Sequence, residues 1–158
     1  MEMWIPFLVV AFDQATKALV RARLPVHDSV SVIPGLVDFT HVRNTGAVFG
    51  FFDVVHFPYK TLVIAAVAMV GLVGVAFYAA SLARQQVLSR LALALIIGGA
   101  AGNLIDRVVL GSVVDFVDVY WRTYHFWAFN VADSAITIGV TIMLLDAIGA
   151  DRNVSKAA

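Results

Sequence analysis

Apolar residues along this chain gather into four stretches, at about 3–22, 61–83, 87–108 and 130–149. Each is near the twenty or so residues that an α-helix needs to cross a hydrocarbon layer. The second is the plainest, since residues 61–83 hold no charge, and its Gly71 and Gly74 predict close helix packing. The first is interrupted by Asp-Gln-Ala-Thr-Lys at 13–17, where Asp13 and Lys17 stand four apart, share a helix face and neutralise each other. It lacks the basic start and unbroken apolar centre of a cleaved secretory signal and reads as a retained helix. In the third, Gly98 and Gly102 form a small-xxx-small pair that admits a neighbouring backbone. Asn103 and Arg107 then share one direction, with Asp106 beside them to hold the arginine. In the fourth, Asn130, Asp133, Thr137 and Thr141 draw one polar stripe, expected to face the interior of the bundle.

The connections differ in kind. Residues 23–60 are more polar, and the run from Val30 to Val42 sets short β-rich arms around Pro34-Gly35, which predicts a hairpin. Arg43 to Phe52 follow as a polar turn leading into an apolar, aromatic patch, expected to cover a site at the bilayer surface. In residues 109–129, Val113 to Trp121 read as an extended segment in which Asp115 and Asp118 point to opposite faces. The aromatics Phe116, Tyr120, Trp121, Tyr124, Phe126, Trp127 and Phe129 mark a membrane–water interface.

Composition agrees with this pattern: 61% of residues are hydrophobic and 14% charged, with a mean hydropathy of +0.88. An ordinary soluble domain carries about 25% charged residues, so the chain reads as one integral membrane domain over residues 1–158. Net charge is zero and no basic run exceeds two residues, which argues against nucleic acid as a partner. The absence of cysteine excludes disulfides and thiolate chemistry. The four histidines, at 27, 41, 56 and 125, fall in predicted loops without ligand spacing, so neither metal nor cofactor is expected. Arg84 and Arg90 in a short connection suggest a cytoplasmic turn, but the basic residues of the opposite segments outnumber them and leave orientation open.

Candidate chemistry narrows to carboxylates. Asp115 and Asp133 each stand at the mouth of an apolar segment, where an ionisable group is costly and usually functional. A serine nucleophile lacks a base, since Lys17 is far in sequence from Ser112 and Ser134. Two aspartates in one low-dielectric site cannot both ionise easily, so one activates water while the other polarises a peptide carbonyl. A proton-coupled transporter and a structural subunit with buried ion pairs are the rival readings, and Asp13 with Lys17 is either a structural pair or part of the site.

The segments DQATK, NTGAVFG, GGAAGNLIDR, GSVVDF and FNVADSAI, in this order between four apolar stretches, resemble the lipoprotein signal peptidase (signal peptidase II) family from Asp13 to about Ile136. The resemblance implies a bacterial inner-membrane aspartyl endopeptidase that cleaves prolipoproteins before a diacylglyceryl-modified cysteine. It assigns the catalytic pair to Asp115 and Asp133, and supporting or substrate-binding roles to Asp13, Asn44, Asn103, Arg107 and Asn130. The implied fold is four transmembrane helices with a small extracytoplasmic β-rich cradle, both termini cytoplasmic. The expected partners are lipidated prolipoproteins and membrane lipid, with the enzyme monomeric.

Overall fold

The computed structural model describes residues 4–46 and 59–157. Four helices, α1 (Trp4–Arg23), α2 (Lys60–Ser81), α3 (Val87–Leu110) and α4 (Val131–Ala157), carry one small sheet of β1 (Ser29–Ile33), β2 (Val37–Asn44), β3 (Val113–Trp121) and β4 (Tyr124–His125). The sheet is antiparallel in the order β1-β2-β3-β4. Among the described residues, three helical segments are long and apolar enough to cross a membrane: Lys60–Ser81, Val87–Leu110 and Val131–Gly149. The fourth helix thus runs on past residue 149, the end expected from hydropathy, because residues 151–156 hold neither proline nor glycine to break it.

The helix α3 is the centre of the bundle and packs against α1, α2 and α4. Small residues permit this. A side chain at Gly99 would collide with the Ala132 carbonyl of α4, and one at Gly102 would fall 2.6 Å from the Asp13 carboxylate of α1. By contrast α2 buries only Ala65 and Ala79. Its Gly71 and Gly74 face open space, which corrects the expectation that they mediate packing: in an apolar medium a helix gains nothing by turning its glycines inward unless a partner stands there. The polar stripe of α4 also ends early. Thr137 and Thr141 are exposed, and Thr141 Oγ1 donates to the Thr137 carbonyl, so its hydroxyl is satisfied without the bundle. Ala132, Ala135 and Gly139 take the inward positions instead.

The chain leaves α3 through Gly111, whose φ of 73° caps the helix in the left-handed region. It enters β3 directly, and Val114 and Phe116 pack there with Val20 of α1. The sheet is thereby fixed to one end of the bundle. In β2 the register against β3 shifts between Phe39 and Val42, after which Val42 lies opposite Asp115. Such an irregularity bends a strand and re-aims its side chains. Trp121, Tyr124, Phe126 and Trp127 are exposed at the far end of the sheet. Two histidines are in strands rather than loops, His41 in β2 and His125 in β4.

Candidate active site

Asp115 comes from β3 and Asp133 from the first turn of α4. The residue that joins them is Asn130, which precedes α4. Its Oδ1 accepts the Asp133 N–H at 2.9 Å, and its own N–H donates to Asp133 Oδ2 at 3.2 Å. This reciprocal exchange is a capping box, formed because Asn and Asp stand three apart at a helix start. The same Asn130 donates from Nδ2 to Asp115 Oδ1 at 2.7 Å. One side chain therefore fixes both carboxyl groups.

Two further amides complete the acceptor sets. Asn44 at the end of β2 donates from Nδ2 to Asp115 Oδ2 at 3.0 Å, while its Oδ1 accepts the Gly46 N–H. Asn103 of α3 donates from Nδ2 to Asp133 Oδ1 at 2.8 Å. Arg107, one turn along α3, binds no carboxylate among the described residues: it donates to the carbonyls of Asn103 and Gly46, at 3.3 and 3.2 Å. It thus ties the chain after β2 to α3.

Asp115 is only 3% exposed. Burial, and then the neighbouring Asp133 charge, push its carboxyl up to about 6, against the opposing pull of hydrogen bonds from Asn44 and Asn130 and of the Lys17 charge. A carboxyl near 6 exchanges its proton close to neutral pH, as general acid–base work requires.

Behind the pair is a second acidic cluster. Lys17 Nζ lies 2.8 Å from Asp13 Oδ2, 3.2 Å from Asp106 Oδ2 and 2.8 Å from Asn103 Oδ1. Asp13 and Lys17 are 0% exposed and Asp106 is 1% exposed. Gln14 Nε2 adds donors to the Gly102 carbonyl and Asp106 Oδ1. Asp106 therefore pairs with Lys17, and the expectation that it holds Arg107 is corrected: successive residues on a helix point about 100° apart, and Asp106 turns toward α1.

All seven residues singled out in the sequence converge on one end of the bundle, but not on equal terms. Asn44, Asn103 and Asn130 touch the aspartate pair, Arg107 holds backbone nearby, and Asp13 touches neither aspartate side chain. Sequence reasoning left Lys17 as a partner of Asp13 alone and did not find Gln14. The four-residue spacing of Asp13 and Lys17 was the available signal, and it says nothing of a third helix. Asp118, by contrast, pairs with His125 Nδ1 at 2.8 Å near the exposed end of the sheet, away from the pair. The aromatic part of the expected cover, residues 47–58, and His56 lie outside the described residues. Among the described residues no group of three or more His, Cys, Asp or Glu is placed to hold a metal ion.

The signal peptidase (SPase) II family model matches residues 5–149. A lipoprotein signal peptidase of Geobacter metallireducens is 47% identical over 93% of this chain and 90% of its own length. One of Geobacter sulfurreducens is 46% identical over 90% of this chain and 88% of its own. A bacterial membrane enzyme solved by the in meso method at 2.3 Å resolution matches with a TM-score of 0.84 and 33% identity, covering 95% of this chain and 88% of that one. The sheet and every site residue fall within residues 5–149, and the chain belongs to the signal peptidase II family.

Proposed function

We propose that Asp115 and Asp133 are the catalytic pair, and that they hydrolyse the peptide bond before a diacylglyceryl-modified cysteine of a prolipoprotein. Family membership makes the chain a protease that removes signal peptides from prolipoproteins. That sets aside the transporter and the structural subunit. The observation that carries the assignment is Asn130, hydrogen-bonded through its side chain to Asp115 at 2.7 Å and through its backbone N–H to Asp133 at 3.2 Å. Two carboxyl groups so enclosed share one proton.

In this reading Asp115, buried on β3 with its carboxyl pushed up to about 6, is the member that takes that proton. Asp133 is in the first turn of α4, where the helix N-terminus favours negative charge, and is the base. Water passes a proton to Asp133 as its oxygen bonds to the scissile carbonyl carbon, and Asp115 passes its proton to the carbonyl oxygen. The tetrahedral intermediate then collapses. The C–N bond breaks, the leaving nitrogen takes the proton from Asp133, and Asp115 recovers one from the intermediate's hydroxyl. Asn44, Asn103 and Asn130 hold the carboxyl groups in place, and Arg107 positions the backbone beside them.

A lipidated substrate reaches this pair from within the bilayer. We read α1 as a fourth span beside the three apolar ones, because Phe7, Leu8, Phe12 and Leu19 face outward while Asp13 and Lys17 face α3. Termini in the cytoplasm of a bacterial inner membrane then put the sheet on the outer face, its exposed aromatics at the interface. The enzyme acts as a monomer in this reading. The test is cleavage of a diacylglyceryl-modified precursor by Asp115→Asn and Asp133→Asn: neither variant turns over, while both remain folded. Turnover by both would end the assignment.

A further inference from the structure

The cluster behind the pair has a property that neither its burial nor its charge explains alone. Asp13 Oδ1 accepts the backbone N–H of Ala132 at 3.0 Å. Asp106 Oδ2 accepts the backbone N–H of Val114 at 3.0 Å. Ala132 immediately precedes Asp133, and Val114 immediately precedes Asp115. The two carboxylates that flank Lys17 therefore each grip the peptide that leads into one member of the pair. Lys17 joins the two grips, and its third donor goes to Asn103 Oδ1 at 2.8 Å, whose Nδ2 holds Asp133 Oδ1 at 2.8 Å. An ammonium has three donors and no acceptor, and here each has a partner.

We propose that Asp13, Lys17 and Asp106 form a positioning clamp, in which one buried ammonium sets the mutual placement of Asp115 and Asp133 through the peptide N–H groups before them. This rests on the catalytic assignment above. The three residues touch no reacting atom. They act through Ala132 of α4 and Val114 of β3, whose elements are joined on one side by Asn130 and by the Val117–Phe129 bridge. The ion triad adds a second tie from the other side, because α1 and α3 are bound to each other through Lys17 and to each of the two peptides through a carboxylate. Its closeness is built in: Gly102 leaves room for the Asp13 carboxylate.

A clamp of this kind has two signatures that simple loss of stability lacks. Displacing a catalytic group by about 1 Å costs on the order of 100-fold in rate, so severing the clamp lowers kcat while leaving KM for the lipidated substrate nearly unchanged. The charges are also near the pair, and the pH profile must respond to them. Facing the pair are Asp13 and Lys17 from α1, Asp106 and Arg107 from α3, and the pair itself from β3 and α4, with the uncharged Asn44 from β2. Removing the Lys17 charge moves the alkaline limb of the pH–rate profile up. Removing the Asp13 charge moves it down, each by on the order of one pH unit.

The experiment measures kcat, KM and pH profile of purified Lys17→Met and Asp13→Asn in detergent, with a diacylglyceryl-modified precursor peptide as substrate and melting curves alongside. Asp13→Asn keeps an oxygen for the Ala132 N–H, so it reports on charge even if Lys17→Met fails to fold. The expected result is a fall in kcat on the order of 100-fold for Lys17→Met at nearly constant KM, with pH limbs displaced in opposite directions by the two variants. Unchanged kcat in folded protein, or a loss that follows the folded fraction while the pH limbs stay in place, would overturn the clamp. If Lys17→Met does not fold, an unmoved limb in Asp13→Asn overturns it as well. If Asp115→Asn and Asp133→Asn are inactive in the same assay, such a failure belongs to the clamp and not to the catalytic assignment.

Discussion

Two acidic clusters share one end of this bundle and are built differently. The triad of Asp13, Lys17 and Asp106 answers buried carboxylates with a buried cation that lies 2.8 and 3.2 Å from them. The pair of Asp115 and Asp133 is answered by the amides of Asn44, Asn103 and Asn130. An ammonium neutralises a carboxylate outright, whereas an amide donor orients it without cancelling its charge. The first arrangement keeps charges where they are. The second leaves burial and the Asp133 charge to raise the Asp115 carboxyl to about 6, against the pull of the amides, so a proton there is free to move. The same residue type, buried in adjacent places, thus holds structure in one and performs chemistry in the other.

The contrast breaks first if the wrong cluster proves catalytic. Asp115→Asn and Asp133→Asn are expected to lose on the order of 10³-fold or more in turnover of a lipidated precursor. Stability should run the opposite way. Asp106→Ala leaves the Val114 N–H without its acceptor and Lys17 with one carboxylate fewer, and is expected to lower unfolding free energy by about 3 kcal/mol, measured by denaturation in detergent. Asp115→Asn removes a buried charge and is expected to melt no lower than the parent at neutral pH.

A smaller effect follows from pH. Asp115 binds its proton more tightly when folded than when unfolded, since burial raises its carboxyl from 3.8 to about 6. Its contribution to stability is therefore greatest at low pH and declines as pH rises from about 4 to about 6, a slope that Asp115→Asn should abolish in melting curves. Smaller again are glycine replacements. Gly102→Ala presses on the Asp13 carboxylate and should cost about 1–3 kcal/mol. Gly71→Ala, which meets nothing, should stabilise α2 by about 0.5–1 kcal/mol.

Much of the fold was legible because its segments obey local rules. Residues 61–83 carry no charge and can only be a span or a buried helix, and Pro34-Gly35 between β-branched arms announces the turn between β1 and β2. The pair itself was legible because a carboxylate at the mouth of an apolar stretch needs an explanation. What failed were inferences from one helix about another. Gly71 with Gly74 and Thr137 with Thr141 have spacings that suit an interface, but whether a partner stands there is decided by where α3 runs, and α3 meets α4 at Ala132 and Gly139. Sequence adjacency joins Asp106 to Arg107, although its partner Lys17 is 89 residues earlier. A capping box within four residues can be read from Asn130 to Asp133. That Asn130 also reaches Asp115 depends on how β3 enters from Gly111, which is a property of the assembled bundle.

The contrast between the clusters reduces to the location of one proton, which infrared difference spectroscopy of the detergent-solubilised enzyme can follow as a protonated-carboxyl band during a pH titration. The account predicts a band that disappears as pH rises through about 6, is absent in Asp115→Asn and persists in Asp118→Asn. A band near that pH that survives in Asp115→Asn would put the mobile proton elsewhere and contradict the division of labour between pair and triad.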